Sequence, residues 1–124
     1  GWFPITPSNQ VEHTVLKGIL PREFEVFHWH GDTFAIPESA IPLASSKACR
    51  NQGFMVGSCI IGLQFHLETT PDSAQDLIDH CRHDLDGSEF VQTEEEMLSE
   101  ASRFLRINEV MNAVLRALEM EEIR

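Results

Sequence analysis

The chain has 124 residues, of which 42% are hydrophobic, and its 20 acidic against 9 basic side chains give a formal net charge of −11. This length fits one domain and can bury a core without a disulfide or a metal, so neither a two-domain chain nor a disordered chain is expected. Residues 1–70 carry 6 acids and 4 bases, whereas residues 71–124 carry 14 acids and 5 bases. Nucleic acids and anionic membranes would repel such a chain.

The sequence predicts neither a membrane span nor a disulfide framework. Its longest apolar stretch, residues 54–63, is broken by Gly57 and Ser58 and is too short to cross a bilayer of about 30 Å. An odd number of cysteines without CxxC spacing indicates a reducing compartment, for which the cytoplasm is the simplest choice. The first residues have neither an initiator Met nor the basic start of a signal peptide, so we expect a fragment of a longer protein.

The first part of the chain has the pattern of β-strands. Residues 24–30 are rich in aromatic and branched side chains on both faces, which is typical of a strand that is covered on both sides. A short strand is predicted at residues 41–45. Two apolar runs, residues 54–56 and 59–65, flank Gly-Ser and form a plausible hairpin. His66 therefore lies where a strand stops.

From residue 70 onward the apolar period changes from two to 3.6, which indicates helices. Thr70 can cap a helix that begins at Pro71 and ends at Gly87. Thr93 and Glu96 form a capping box for a second helix. The apolar stripe of this second helix runs to the C-terminus through Met97, Leu98, Ala101, Phe104, Leu105, Val110, Met111, Val114, Leu115 and Leu118.

A histidine and a glutamate two residues apart are the main candidates for chemistry. In an extended backbone His66 and Glu68 point the same way, with α-carbons roughly 6.5 Å apart, so the carboxylate can bond one ring nitrogen and leave the other free. This is the pairing of base and orienting acid in nucleophile-His-acid triads. A His-x-Glu pair is common by itself, but a position after a buried strand favours a site, because α/β sites form beyond the carboxyl ends of strands.

Two segments resemble the class I glutamine amidotransferases. Residues 62–68, Gly-Leu-Gln-Phe-His-Leu-Glu, resemble their G-x-Q-F-H-P-E signature, with Leu67 in place of the usual proline. Residues 27–34 and then 43–46 are similar to the GMP-synthase-like members. Two motifs in order are far more specific than either alone. The resemblance is close over residues 1–70 and looser over the helical tail.

The resemblance implies the fold and the activity. It implies an α/β fold, the C-terminal part of a flavodoxin-like or Rossmann-like domain with a mixed sheet followed by helices, while missing upstream residues supply the central parallel strands. The chain would then be a single partial domain, residues 1–124, with a sheet-forming part at 1–70 and a helical part at 71–124. It also implies hydrolysis of glutamine by a Cys-His-Glu triad, as in a transferase with a hydrolase half-reaction, and ammonia delivery to a synthetase or another acceptor.

The same resemblance assigns roles to residues of this chain. His66 would be the general base and acid, Glu68 its orienting partner, and His30 and Asp32 would lie near the glutamine pocket. For His30 and Asp32 a simple strand-end turn, with the carboxylate satisfying backbone amides, is an equally good interpretation. No cofactor is implied. His28 and His30 share a strand face, but two ligands do not make a zinc site.

The nucleophile of the family is not found in the chain. Class I enzymes carry it in a Gly-x-Cys-x-Gly elbow upstream of the histidine, and Gly57 to Gly62 has its second glycine one place too late. We expect Cys59 to be a core residue with a raised pKa and slow reactivity, and Cys49 and Cys81 are poor candidates. The chain by itself is therefore predicted to be inactive.

Two alternatives remain open at the level of sequence. A non-catalytic interaction or regulatory module of the same fold would carry a degenerate elbow in its upstream sequence, and its acidic helical tail could dock a partner. A gamma-glutamyl hydrolase uses similar residues and would cleave gamma-glutamyl peptides instead of releasing ammonia from glutamine. Without its parallel strands the chain would leave an open sheet edge, so we also expect a homo-oligomer.

Overall fold

The computed structural model describes residues 1–123, with side chains up to residue 121. Strands lie in the first part of the chain and the longer helices in the second. The strands are β1 (Trp2–Pro7), β2 (Phe24–Phe27), β3 (Ile41–Ser45), β4 (Gly53–Val56) and β5 (Ile60–Leu63). The α-helices are α1 (Pro71–His80), α2 (Glu94–Leu98) and α3 (Ala101–Ile123), and short 3₁₀ helices occupy Asn9–His13 and Arg82–Asp84.

The strands form one sheet in the order β2-β1-β3-β4-β5, and every pairing among the described residues is antiparallel. Strand β1 pairs with β2 through Trp2–Ile5 and with β3 through Thr6–Pro7, so the sheet changes partner along this strand. The side-chain amide of Gln92 accepts from the Trp2 N–H at 2.8 Å and donates to the Trp2 carbonyl at 3.2 Å. The Gln92 side chain therefore makes the two hydrogen bonds with the Trp2 backbone that a neighbouring strand would otherwise make. The α/β class with a sheet followed by helices is confirmed.

The core joins the start of the sheet to α3. The Trp2 ring meets Phe104 edge-on with ring centroids 4.9 Å apart and Phe27 at 5.3 Å, geometries that suit the quadrupoles of aromatic rings. The indole N–H of Trp2 donates to the Met97 carbonyl at 2.9 Å, so this buried polar group is satisfied. These contacts fix α3 against β2, the strand that precedes the candidate site.

Strand β2 is shorter than predicted. It ends at Phe27 instead of continuing to residue 30, because beyond the backbone pair of His28 and Gly1 the segment has no backbone partner among the described residues. The Phe27 carbonyl accepts from the N–H of His66 at 2.8 Å in an isolated bridge. The predicted strand at residues 41–45 and the hairpin are confirmed, although the second arm spans only Ile60–Leu63. Strand β1 was not predicted, since prolines at positions 4 and 7 disfavour a strand assignment.

Helix α1 begins as predicted and ends earlier. Thr70 and Ser73 form a reciprocal capping box at its start. The helix ends at His80, seven residues before Gly87, and continues only as the 3₁₀ turn Arg82–Asp84. The Asp84 carboxylate accepts from the indole N–H of Trp29 at 3.0 Å, a contact between distant parts of the chain that the local pattern does not contain.

The second predicted helix is divided in two. The capping box of Thr93 and Glu96 is confirmed, but α2 ends at Leu98 and α3 begins at Ala101. After this break the buried face runs through Phe104, Ile107, Val110 and Val114. Leu105 and Leu115, predicted on the apolar stripe, are instead 66% and 54% exposed. None of the helices in the described part is long and apolar enough to cross a membrane.

Candidate active site

Residues 65–68 alternate between the core and the surface. Phe65 and Leu67 are 2% and 0% exposed, whereas the side chains of His66 and Glu68 are 33% and 58% exposed. The backbone bends here, after β5 has ended at Leu63, and the imidazole and the carboxylate both lie on the exposed side. Leucine in place of proline at position 67 fits this arrangement, because its apolar side chain is fully buried.

The two polar side chains are in direct contact. His66 Nδ1 lies 2.6 Å from Glu68 Oε1. Since an ionised carboxylate can only accept, Nδ1 carries the proton of the neutral ring and Nε2 keeps its lone pair. The Nε2 atom lies 3.5 Å from the Trp29 carbonyl oxygen, to which it has no proton to donate in this tautomer. The free nitrogen is thus available to exchange a proton with a bound molecule.

The backbone around this pair is held by two elements of the fold. The N–H of His66 donates to Phe27 at the end of β2. On the other side, the side-chain amide of Asn108 in α3 donates to the carbonyls of Leu67 and Thr69 at 2.9 and 3.0 Å. Asn108 therefore fixes the carbonyls on both sides of Glu68. The sequence analysis did not identify this residue, although an asparagine beside buried positions of an apolar helix is a usable signal.

His30 and Asp32 lie in the irregular segment that follows β2. His30 Nδ1 is 2.7 Å from the backbone oxygen of Asp32, and no hydrogen bond between the two side chains is formed. His30 and Gly31 contribute to two adjoining cavities of about 310 and 370 Å³. The larger cavity also includes Asp32 and Cys49. Neither His66 nor Glu68 lines these two cavities, so the structure does not bring the four predicted site residues together around one cavity.

His28 is the most perturbed titratable side chain of this region. Burial lowers its pKa from an ordinary 6.5 to about 4, against the opposing effect of its Nε2 contact with the Phe3 carbonyl at 3.1 Å. Its ring lies 6.3 Å from that of His30, centroid to centroid. Burial therefore keeps His28 neutral at pH 7. Among the described residues, no group of three histidine, cysteine or acidic side chains is arranged to hold a metal ion.

The cysteines differ from the prediction in one respect. Cys59 is exposed at the tip of the hairpin, so the predicted burial is wrong. The tip is the turn of residues 57–59, and the adjoining Ile60 is itself 61% exposed. This tip lies at the end of β5 opposite to His66. Cys49 is half-buried, and its thiol contacts Thr33 at 3.2 Å and Gln64 at 3.6 Å. Cys81 is half-buried after α1.

Known proteins are similar to this chain in both sequence and fold. The chain is 30% identical over 100 residues to the glutamine amidotransferase-like protein YfeJ of Salmonella typhimurium, a match that covers 78% of this chain and 42% of that protein. The structure of a glutamine amidotransferase from Methylobacillus flagellatus matches 97% of this chain and 51% of its own, with a TM-score of 0.85 and 25% identity. No protein-family model matches the sequence.

Two further structures have the same fold. The protein SMU.1228c matches with a TM-score of 0.86 and 27% identity, over 96% of this chain and 51% of its own. A glutamine amidotransferase from Thermotoga maritima matches with a TM-score of 0.79 and 27% identity, over 96% of this chain and 50% of its own.

These similarities concern both the fold and the sequence. The fold is that of an α/β protein with a curled antiparallel sheet followed by helices, and it matches about half of each of the three structures. The sequence is similar to that of a glutamine amidotransferase-like protein. The chain spans about half of the matched structures and 42% of the curated relative.

Proposed function

We propose that this chain supplies the histidine and the glutamate of a Cys-His-Glu triad that hydrolyses glutamine to glutamate and ammonia. The observation that carries the proposal is the 2.6 Å contact between His66 Nδ1 and Glu68 Oε1. A carboxylate behind the imidazole fixes the tautomer and stabilises the imidazolium that forms when Nε2 takes a proton. Similarity to glutamine amidotransferases supports the choice of substrate.

In the proposed reaction, His66 of this chain transfers the protons and a cysteine thiolate is the nucleophile. His66 Nε2 first takes the proton of the nucleophilic thiol, and the thiolate sulfur then forms a bond to the carboxamide carbon of glutamine. The C–N bond breaks as the resulting imidazolium of His66 gives its Nε2 proton to the departing ammonia. Water next loses a proton to Nε2 while its oxygen attacks the thioester carbon. The C–S bond breaks, and glutamate and the thiolate are released. Glu68 stays ionised throughout and orients the ring.

The nucleophile, in this proposal, belongs to residues outside the chain. The Cys59 thiol lies seven positions from His66, at the other end of β5, a separation of roughly 20 Å for an extended strand. The contacts of the Cys49 thiol are with Thr33, Gln64 and the Asn51 carbonyl, none of which is a base. The 124-residue chain is therefore expected to release no glutamate from glutamine.

The partners follow from the same proposal. Glutamine is the substrate, and ammonia passes to a synthetase or another acceptor. The excess of 11 negative charges disfavours nucleic acids and anionic membranes as partners. Three free cysteines support the cytoplasm as the compartment. His30 and Asp32, which line the larger cavity, are proposed to contact the glutamine.

The test is glutamine turnover by the full-length protein and its variants. We expect His66→Ala to abolish glutamate release and Glu68→Gln to leave a partial rate, because an orienting partner is less essential than the proton carrier. The matched controls, His13→Ala and Glu12→Gln, change exposed residues of the Asn9–His13 turn and should retain the wild-type rate. Wild-type turnover by His66→Ala would contradict the triad assignment.

Two further measurements separate the alternatives. Cleavage of gamma-glutamyl peptides without ammonia release from glutamine would favour a peptidase, and a full-length protein without either activity would favour a regulatory module. On the chain alone, the exposed Cys59 should react with general thiol reagents. A glutamine-like chloroketone should give no labelling that glutamine blocks. Labelling of Cys59 that glutamine prevents, with glutamate release, would contradict the external nucleophile.

A further inference from the structure

We propose that Gln64 is a positioning residue that fastens the segment of residues 28–34 to the backbone run that carries His66. The inference rests on the proposed function, since it concerns the wall of the glutamine pocket relative to the base. Gln64 precedes His66 by two residues and is half-buried, and none of its side-chain hydrogen bonds is to the imidazole. Its effect on the reaction would therefore pass through the segment that it holds.

The side-chain amide of Gln64 uses both of its N–H donors. Its Nε2 atom donates to Thr33 Oγ1 at 2.9 Å and to the backbone carbonyl of Asn51. An amide nitrogen has only two protons, so these two acceptors account for its full donor capacity, and the Cys49 thiol lies against the same atom at 3.6 Å. The backbone N–H of Gln64 donates to the Gln52 carbonyl at 2.9 Å, which fixes the origin of the side chain.

The 28–34 segment is held at both of its ends. At its start, the Phe27 carbonyl accepts from the N–H of His66 at 2.8 Å. At its end, Thr33 accepts from Gln64, and the Asn51 side-chain amide donates to the Phe34 carbonyl at 2.9 Å. The segment belongs to no helix or strand, so its position depends on such attachments. At its start the backbone of His28 is also paired with Gly1, and the Trp29 indole donates to Asp84. At its other end the attachment is to Gln64, two residues before His66.

This arrangement sets the distance between the base and the pocket wall. The Trp29 carbonyl, near the start of the segment, lies 3.5 Å from His66 Nε2, and His30 and Gly31 border both cavities. A carboxamide that meets Nε2 would also meet this wall. Orientation of reacting groups contributes strongly to rate, and small displacements of such a wall are costly. Loss of the Gln64 contacts should therefore weaken substrate binding without changing the proton-transfer group.

The first experiment is limited proteolysis of the 124-residue chain with chymotrypsin, which cleaves after aromatic residues such as Trp29 and Phe34 of this segment, read by mass spectrometry. In Gln64→Met both donors are lost at nearly constant side-chain length, and we expect the rate of cleavage in residues 28–34 to rise about tenfold. Cleavage in β1 and β2 should stay as in the wild type, which shows that the variant is folded. Gln10→Met, at an exposed site without a side-chain hydrogen bond, is the matched control.

A second variant keeps the test decisive if Gln64→Met does not fold. Thr33 is exposed, and Thr33→Val removes the acceptor with little change of shape. It should raise cleavage in the same segment, and the double variant should add less than the sum of the two single effects. Thr33→Ser keeps the hydroxyl and should restore the wild-type rate of cleavage. Unchanged cleavage in residues 28–34 in Thr33→Val and in every folded Gln64 variant would overturn the proposal.

Kinetics of the full-length protein distinguish this inference from the proposed function. Gln64→Met should raise KM for glutamine several-fold, with a smaller change in kcat and an unchanged pH profile, since His66 and Glu68 are retained. If the wild type hydrolyses no glutamine, the proposed function fails while the proteolysis data still report on the attachment. If the wild type turns over and Gln64→Met has a normal KM, the positioning role is overturned.

Discussion

Protonation of His28 should destabilise the folded chain in mildly acidic solution. Burial lowers the pKa of His28 to about 4, whereas an unfolded chain should titrate near 6.5. Between these values the unfolded state binds a proton that the folded state does not, so stability is fully present above about pH 6.5 and falls progressively down to about pH 4. The difference between the folded and unfolded pKa values of His28 corresponds to about 3 kcal/mol of unfolding free energy, which is present at pH 7 and absent at pH 4.

The assay is equilibrium urea unfolding at several pH values between 7 and 4. His28→Gln removes the titrating group and keeps an N–H donor for the Phe3 carbonyl, so its stability should fall by about 3 kcal/mol less than that of the wild type over this range. His13→Gln, at an exposed position, is the control and should follow the wild type.

The other perturbed groups are the same in both proteins. The pKa values of Asp86 and Glu94 are lowered by hydrogen bonds, to Ser88 and to Arg82 respectively, and burial lowers the pKa of the Gly1 amino group to about 5, but all three groups are present in every variant. Their contribution therefore cancels between the wild type and His28→Gln. Parallel stability curves for these two proteins from pH 7 to pH 4 would refute the assignment of the acid loss to a buried neutral imidazole.

Three other predictions concern packing, the site backbone and assembly. Phe104→Ala should cost about 3–5 kcal/mol in urea unfolding because it opens the aromatic core, whereas the exposed Leu105→Ala should cost little; equal losses would contradict the helix orientation. Asn108→Leu should cost about 1–3 kcal/mol by leaving two carbonyls unpaired, and the exposed Asn112→Leu should not. Because the edge of β5 is open, we expect a dimer in light scattering, and Ile60→Lys should weaken this dimer. A clean wild-type monomer of 14.1 kDa at high concentration would contradict the prediction.

The sequence by itself determined the local elements and the main chemical pair. Turn and cap chemistry is short-range, so Gly57-Ser58, Thr70 and the Thr93 capping box could be located without any knowledge of the fold. The alternation of residues 65–68 is equally local, and it was sufficient to bring the His66 and Glu68 side chains together.

Tertiary contacts decided where the elements end and what holds the site. The predicted strand at residues 24–30 stops at Phe27 because the backbone of residues 29 and 30 has no partner strand among the described residues. The orientation of α3 depends on a break after α2 and on Trp2, so no single helical period could predict that Leu105 faces solvent. Asn108 and Gln64 acquire their roles from partners tens of residues away or across the sheet. A local sequence pattern contains no record of such partners, since hydrogen bonds between distant segments form only when the chain is folded.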